Sequence, residues 1–192
     1  LMCSDRNMID DSRAPGADRV IREEDRRQRQ MYIGDGEGAG IVAEVGYGVT
    51  QLKPGDRVVA GLRVGGFAEE VNVPELACRP IPGSMDFAAA AAYPAAYLTA
   101  YVALVCRGHL QKGETLLVHG STGGVGLAAV EMGKLLGATV IATSASDEKL
   151  KIVKERGADH VINYREERFE HMVRKITAKK GVEVVFEHVG PC

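Results

Sequence analysis

The sequence predicts an α/β protein: a partial doubly wound parallel sheet in its second half, preceded by a smaller β region. Three observations carry this expectation. After Glu114, strand-like runs alternate with helical patterns about ten residues long. Four glycines (Gly120, Gly123, Gly124 and Gly126) fall at the first strand-to-helix passage, and from Gly38 to Pro82 short apolar runs are separated by Gly and Pro. Alternating strands and helices imply parallel pairing through right-handed crossovers, whereas short strands broken by turn residues imply a small barrel or sandwich.

Composition narrows the function classes. A chain of 192 residues accommodates one large domain or two small ones, and 45% hydrophobic content is ordinary for a globular protein. Lys and Arg number 24 against 26 Asp and Glu, a formal net charge of -2, which favours a small-molecule partner over nucleic acid or a membrane surface. Cys3, Cys78, Cys106 and Cys192 are scattered without CxxC spacing, so reduced, unligated thiols in a cytoplasmic protein are expected. The start of the chain shows no secretory pattern. Phe87 to Cys106 is 20 residues without a charge, but nine are Ala, three are Tyr and Pro94 interrupts. That composition predicts a buried or half-buried helix, with Tyr93, Tyr97 and Tyr101 on one face, and not a membrane span.

The elements follow in order. Residues 1–31 are atypical: Arg19, Arg22, Arg26, Arg27 and Arg29 interleave with Asp18, Glu23, Glu24 and Asp25, a solvated helix or disordered arm. Strands are expected at Gly40–Gly46, Arg57–Ala60 and Phe67–Val73, with a Pro54-Gly55 turn between the first two. In the second half, strands are expected at Thr115–His119, Thr139–Thr143, His160–Asn163 and Val182–Phe186. Helices are expected at about Leu127–Leu136, Asp147–Arg156 (stopped by Gly157) and Glu166–Ala178.

The glycine stretch gains meaning from this placement. Ser121, Gly123 and Gly126 occupy the three positions of GxGxxG at the start of a parallel sheet, the setting in which backbone amides at a helix N-terminus cradle a dinucleotide diphosphate. Ser121 departs from the pattern at its first glycine, with Gly120 beside it to support the tight turn. The second strand ends in Thr143-Ser144-Ala145-Ser146 with no acid to receive the ribose hydroxyls of NAD. Asp147 and Glu148 read as first-turn residues of the next helix. A neutral strand end at Ser144 with Lys149 nearby suits the extra phosphate of NADPH.

These motifs carry a family resemblance. Glu37-Gly38-Ala39-Gly40-Ile41-Val42, Gly55-Asp56-Arg57-Val58, Gly66-Phe67-Ala68-Glu69, Leu98-Thr99-Ala100-Tyr101, Gly123–Gly126, Gly157-Ala158-Asp159, Ile162-Asn163-Tyr164 and Val184-Val185-Phe186 occur in the order found in one family. The chain resembles the quinone oxidoreductase (zeta-crystallin-like) branch of the zinc-free medium-chain dehydrogenase/reductase superfamily. The resemblance implies a partial GroES-like substrate domain at residues 32–92 and a partial Rossmann NADP-binding domain at 93–192. It implies hydride transfer from NADPH to a quinone or conjugated carbonyl compound, in a cytoplasmic homodimer. Thr99 would lie beside the nicotinamide, Gly123, Gly124 and Val125 along the cofactor, and Lys149 and Tyr164 at the 2'-phosphate.

Departures from the family are equally informative. Gly36 stands where zinc-dependent relatives place a ligating His, and the lobe that holds their structural zinc is absent, so no metal is expected. No catalytic residue is identified, and His109, His119, His160, His171 and His188 read as structural or solvated. Residues 1–31 lack the expected first strands, and Pro191-Cys192 follows the fourth of six expected sheet strands. The resemblance thus implies a chain truncated at both ends, without the edge over which the family dimerises. The competing readings are an enoyl-thioester reductase and a non-catalytic cofactor-binding protein.

Overall fold

The computed structural model describes residues 2–4, 36–62, 65–66 and 68–188. The charged run at 18–29, Phe67 and the last four residues lie outside them. The chain divides into two compact units between Pro94 and Ala95.

In the first unit, β2 (Glu37–Ile41), β3 (Arg57–Gly61) and β5 (Cys78–Pro80) form an antiparallel sheet in the order β2-β3-β5. Separately, β1 (Met2–Ser4) pairs in parallel with β4 (Asn72–Pro74), a strand within the segment where the charge pattern suggested none. The first predicted strand is displaced: pairing begins at Glu37 and ends at Ile41, after which only Val42 continues the ladder, through Asp56 and Gly55. At the turn, Asp56 N–H donates to the Lys53 carbonyl, and Gly55 has φ +95°, which favours glycine after Pro54. Val42, Leu52, Val58, Ala60, Leu62, Val73 and Cys78 form this unit's main core. Arg57 of the Gly55-Asp56-Arg57 motif stacks its guanidinium 4.0 Å from the Phe87 ring centre and donates to the Met85 carbonyl.

Helix α1 (Phe87–Tyr101) crosses from one unit to the other. Asp86 caps it, its carboxylate accepting from Ala89 N–H at 2.8 Å. The helix continues through Pro94 and ends in a wider turn, Val102–Arg107, where Gly108 N–H reaches back to the Ala103 carbonyl. By length and mean hydropathy (1.5), Phe87–Arg107 would pass for a membrane span. Ala96, Ala100 and Leu104, spaced by four, are buried in the second unit's core. Burial is one-sided, contrary to a helix covered all round: Leu98 is 61% exposed, and Tyr93 and Tyr101 are each 47% exposed. Tyr97 instead tilts inward and donates to the Glu131 carboxylate.

The second unit is a four-stranded parallel sheet of β6 (Thr115–Val118), β7 (Thr139–Ser144), β8 (His160–Asn163) and β9 (Val184–Phe186), in the order β8-β7-β6-β9. The crossovers are α2 (Gly124–Leu135), α3 (Asp147–Glu155) and α4 (Phe169–Ile176). Leu116, Val118, Val140 and Ala142 face one core with Ala128, Ala129 and Val130 of α2. Leu117, Ile141 and Ile162 face a second with Val173 of α4. Both faces are covered, which explains strands that are apolar throughout. α2 approaches closely because Gly133 has no side chain: a Cβ there would lie 2.6 Å from a Leu116 methyl.

Candidate functional site: the glycine turn and the end of β7

The first and fourth strands of the second unit, β6 and β9, are neighbours while the third, β8, lies at the far side, so connections leave in opposite directions around β6. In open α/β sheets this switch point, at the carboxyl ends of the strands, is where ligands bind. The glycine turn follows β6 at that place.

Its geometry is set residue by residue. Gly120 has φ +63°, and its carbonyl accepts from Gly123 N–H at 3.3 Å, closing the turn. Gly126 sits in the first turn of α2 against it: a Cβ there would lie 2.3 Å from the Gly120 oxygen and 2.8 Å from Ser121 Cα. Gly123 and Gly124 are different. Both are exposed, and a Cβ would meet only the Gly120 oxygen at 3.8 Å in one case and nothing within 4 Å in the other. The protein itself does not demand glycine for space at these two positions, and the room above them is open.

Gly123 provides no side-chain cap to α2, and the helix has no acidic residue in its first turn. The first amides of any helix lack intrahelical partners and carry partial positive charge, so this terminus is suited to an anion. Val125 is half-buried against the core. Ser121 is fully buried, and its hydroxyl donates to the Thr143 carbonyl at 2.9 Å, so its side chain supports the turn from within.

The end of β7 assembles the other predicted residues. Ser144 is buried, with its carbonyl accepting from Tyr164 N–H at 3.1 Å. Ser146 caps α3 by accepting from Lys149 N–H, and Lys149 and Tyr164 are exposed. Asp147, which stands with Glu148 in the first turn of α3, accepts from Asn163 Nδ2 at 2.9 Å. Ser144 ends β7, Tyr164 follows β8 and bonds to it, and Lys149 stands in the first turn of α3, while Thr143 and Ser121 link β7 to the glycine turn. Thr99 is not gathered with them. It is exposed on α1 and lines a shallow concavity of about 500 Å³ with Leu98, Val102, Ala103 and Arg107.

Two residues absent from the predicted site belong to its frame. His119 Nδ1 and Thr143 Oγ1 share a hydrogen bond of 2.8 Å, and the His119 ring meets the Phe169 ring edge-on at 4.8 Å. The other histidines, His109, His160, His171 and His188, are exposed. Among the described residues, no group of three or more His, Cys, Asp or Glu side chains could hold a metal ion, and Gly36 offers no ligand atom.

Comparison with known proteins agrees with this architecture. Residues 14–83 match the alcohol dehydrogenase GroES-like domain, and residues 124–191 match the family described as zinc-binding dehydrogenase. The chain belongs to the medium-chain dehydrogenase/reductase superfamily, in its quinone oxidoreductase branch. It is 36% identical over 157 residues to a quinone oxidoreductase of Pongo abelii, covering 81% of this chain and 48% of that one. The crystal structure of Escherichia coli quinone oxidoreductase complexed with NADPH matches with TM-score 0.73 and 38% identity, over 81% of this chain and 48% of the other. The CurK enoyl reductase structure matches with TM-score 0.75 and 33% identity, over 81% and 47%. The chain therefore spans about half the length of these relatives.

Proposed function

We propose that this chain belongs to an NADPH-dependent oxidoreductase that delivers hydride to a quinone or conjugated carbonyl compound without zinc. The observation that carries the reading is the uncapped N-terminus of α2, opening on the room above Gly123 and Gly124 at the sheet's switch point. The amides of Gly124, Val125 and Gly126 would hold a diphosphate there, with Ser121 fixing the turn beneath. The preference for NADPH is supported by the end of β7: no acid lies within the strand end itself, Asp147 in the first turn of α3 is engaged by Asn163, and Lys149 and Tyr164 are exposed. When bound, the dinucleotide supplies the hydride. The chain's residues bind and orient it, with Thr99 as the residue toward the nicotinamide. A zinc-independent reaction is supported by Gly36 at the position of the family's ligand. A cytoplasmic homodimer acting on small molecules completes the proposal.

The test is a titration of the folded chain with NADPH and NADH, followed by cofactor fluorescence. Binding at least about tenfold tighter for NADPH, a difference of about 1.4 kcal/mol, is expected, and its loss in Lys149→Ala would locate the preference. Equal affinities would overturn the NADPH assignment, and no binding by a folded chain would overturn the cofactor reading. A second reading, reduction of an enoyl thioester, is favoured by the enoyl reductase among the similar structures. Faster turnover of a crotonyl thioester than of a quinone would select it, and tight binding with neither turnover would select a non-catalytic binder.

A further inference from the structure

The residues that hold the glycine turn in place lie partly outside it. Thr143 is fully buried near the end of β7. Its carbonyl accepts from Ser121 Oγ at 2.9 Å and from Ser121 N–H at 3.4 Å, while its own Oγ1 bonds His119 Nδ1 at 2.8 Å. His119 is further fixed by donating its backbone N–H to the Phe186 carbonyl at 3.0 Å and by the edge-on contact with Phe169. Both neighbours of Gly120 are therefore anchored to one threonine. This matters because Gly120, in its left-handed conformation, restrains its own backbone less than any other residue type would. The next residue after Thr143 is Ser144, held by Tyr164 N–H.

We propose that Thr143 and His119 are positioning residues for the dinucleotide, a clamp that keeps the diphosphate-binding turn in register with the strand end that receives the ribose phosphate. The inference rests on the cofactor reading above. A ligand bridging both places gains from their being held at a fixed separation before it binds, whereas a ligand occupying the strand end alone does not. Thr143→Val preserves shape and the backbone carbonyl but removes Oγ1. Thr143→Ser retains the hydroxyl, and His119→Asn retains a polar group near the place of Nδ1, which His119→Leu does not.

The experiment measures dissociation constants of NADPH and of adenosine 2'-monophosphate, which reaches only the strand end, for the wild-type chain and the four variants. Folding is checked by circular dichroism. Loss of one hydrogen bond predicts NADPH binding about 5- to 10-fold weaker in Thr143→Val and His119→Leu, with adenosine 2'-monophosphate changed less than about twofold. Thr143→Ser and His119→Asn should recover most of the NADPH affinity. Unchanged NADPH affinity in Thr143→Val, or equal weakening of both ligands, would overturn the clamp. A folded wild-type chain that binds neither ligand would overturn the cofactor reading, and the clamp with it.

Discussion

Gly124 and Gly126 are two residues apart in one motif, yet they answer to different constraints. A methyl group at Gly126 would collide with the Gly120 oxygen and Ser121 Cα, both backbone atoms that cannot swing aside. Gly126→Ala should therefore lower stability by about 1 to 3 kcal/mol, read as a drop in thermal midpoint. Gly124→Ala meets nothing and should leave the midpoint nearly unchanged while weakening dinucleotide binding. A destabilised Gly124→Ala would contradict the open space described there. The spacing of Gly123 and Gly126 was legible in the sequence because the fingerprint is local. The role of Ser121 was not, since its partner Thr143 lies 22 residues away and meets it only once β6 and β7 pair. His119 was read as a solvated or structural histidine for the same reason.

Among the elements, the Gly157-Ala158-Asp159 motif does more than end α3. Gly157 takes φ +109° at the helix stop, as expected, and Asp159 then ties three elements together. Its carboxylate accepts from Lys134 Nζ of α2 at 2.8 Å and from Val140 N–H of β7 at 2.7 Å, just before β8 begins. Partial burial would raise its pKa, but the hydrogen bonds from Lys134 and Val140, with the Lys134 charge, outweigh this and hold it below its ordinary value. A carboxyl whose folded pKa is depressed contributes stability that is complete above its unfolded value, near pH 4, and is lost as pH falls through the lower folded value. Asp159→Asn should thus cost about 1 kcal/mol at neutral pH, allowing for solvent screening of a side chain one-third exposed. The difference from wild type should shrink below about pH 4 in denaturant unfolding. A constant difference down to pH 2 would refute the charged staple. Element types were predictable from periodicity, but boundaries were not. α4 starts at Phe169 instead of Glu166 because the amides of Glu166 and Glu167 turn back to the Asn163 carbonyl. α2 starts three residues early, at Gly124, because its glycines concealed a helical turn.

For the molecule as a whole, alternating strands and helices were enough to predict a parallel doubly wound sheet, and turn-rich short strands enough to predict a separate β region. Local sequence carried little about which strands would be neighbours, since that is decided by packing across the sheet. The placement of β9 against β6 has a consequence in time. Thr115 and Glu183, bonded at the start of that pairing, are 68 residues apart, whereas β6, β7 and β8 become neighbours through successive short crossovers. Closing the longer loop is entropically later, so the nascent sheet carries an unpaired β6 edge until β9 is made. In refolding followed by pulsed hydrogen exchange, the Tyr164 amide, bonded to Ser144, should become protected before the His119 amide, bonded to Phe186. Simultaneous protection would mean that the sheet closes in one step. If the order holds, β9 is the last of these four strands to pair, and a ribosome-bound or misfolding intermediate would expose the β6 edge, with Leu116 and Leu117, to other chains before any cofactor could bind.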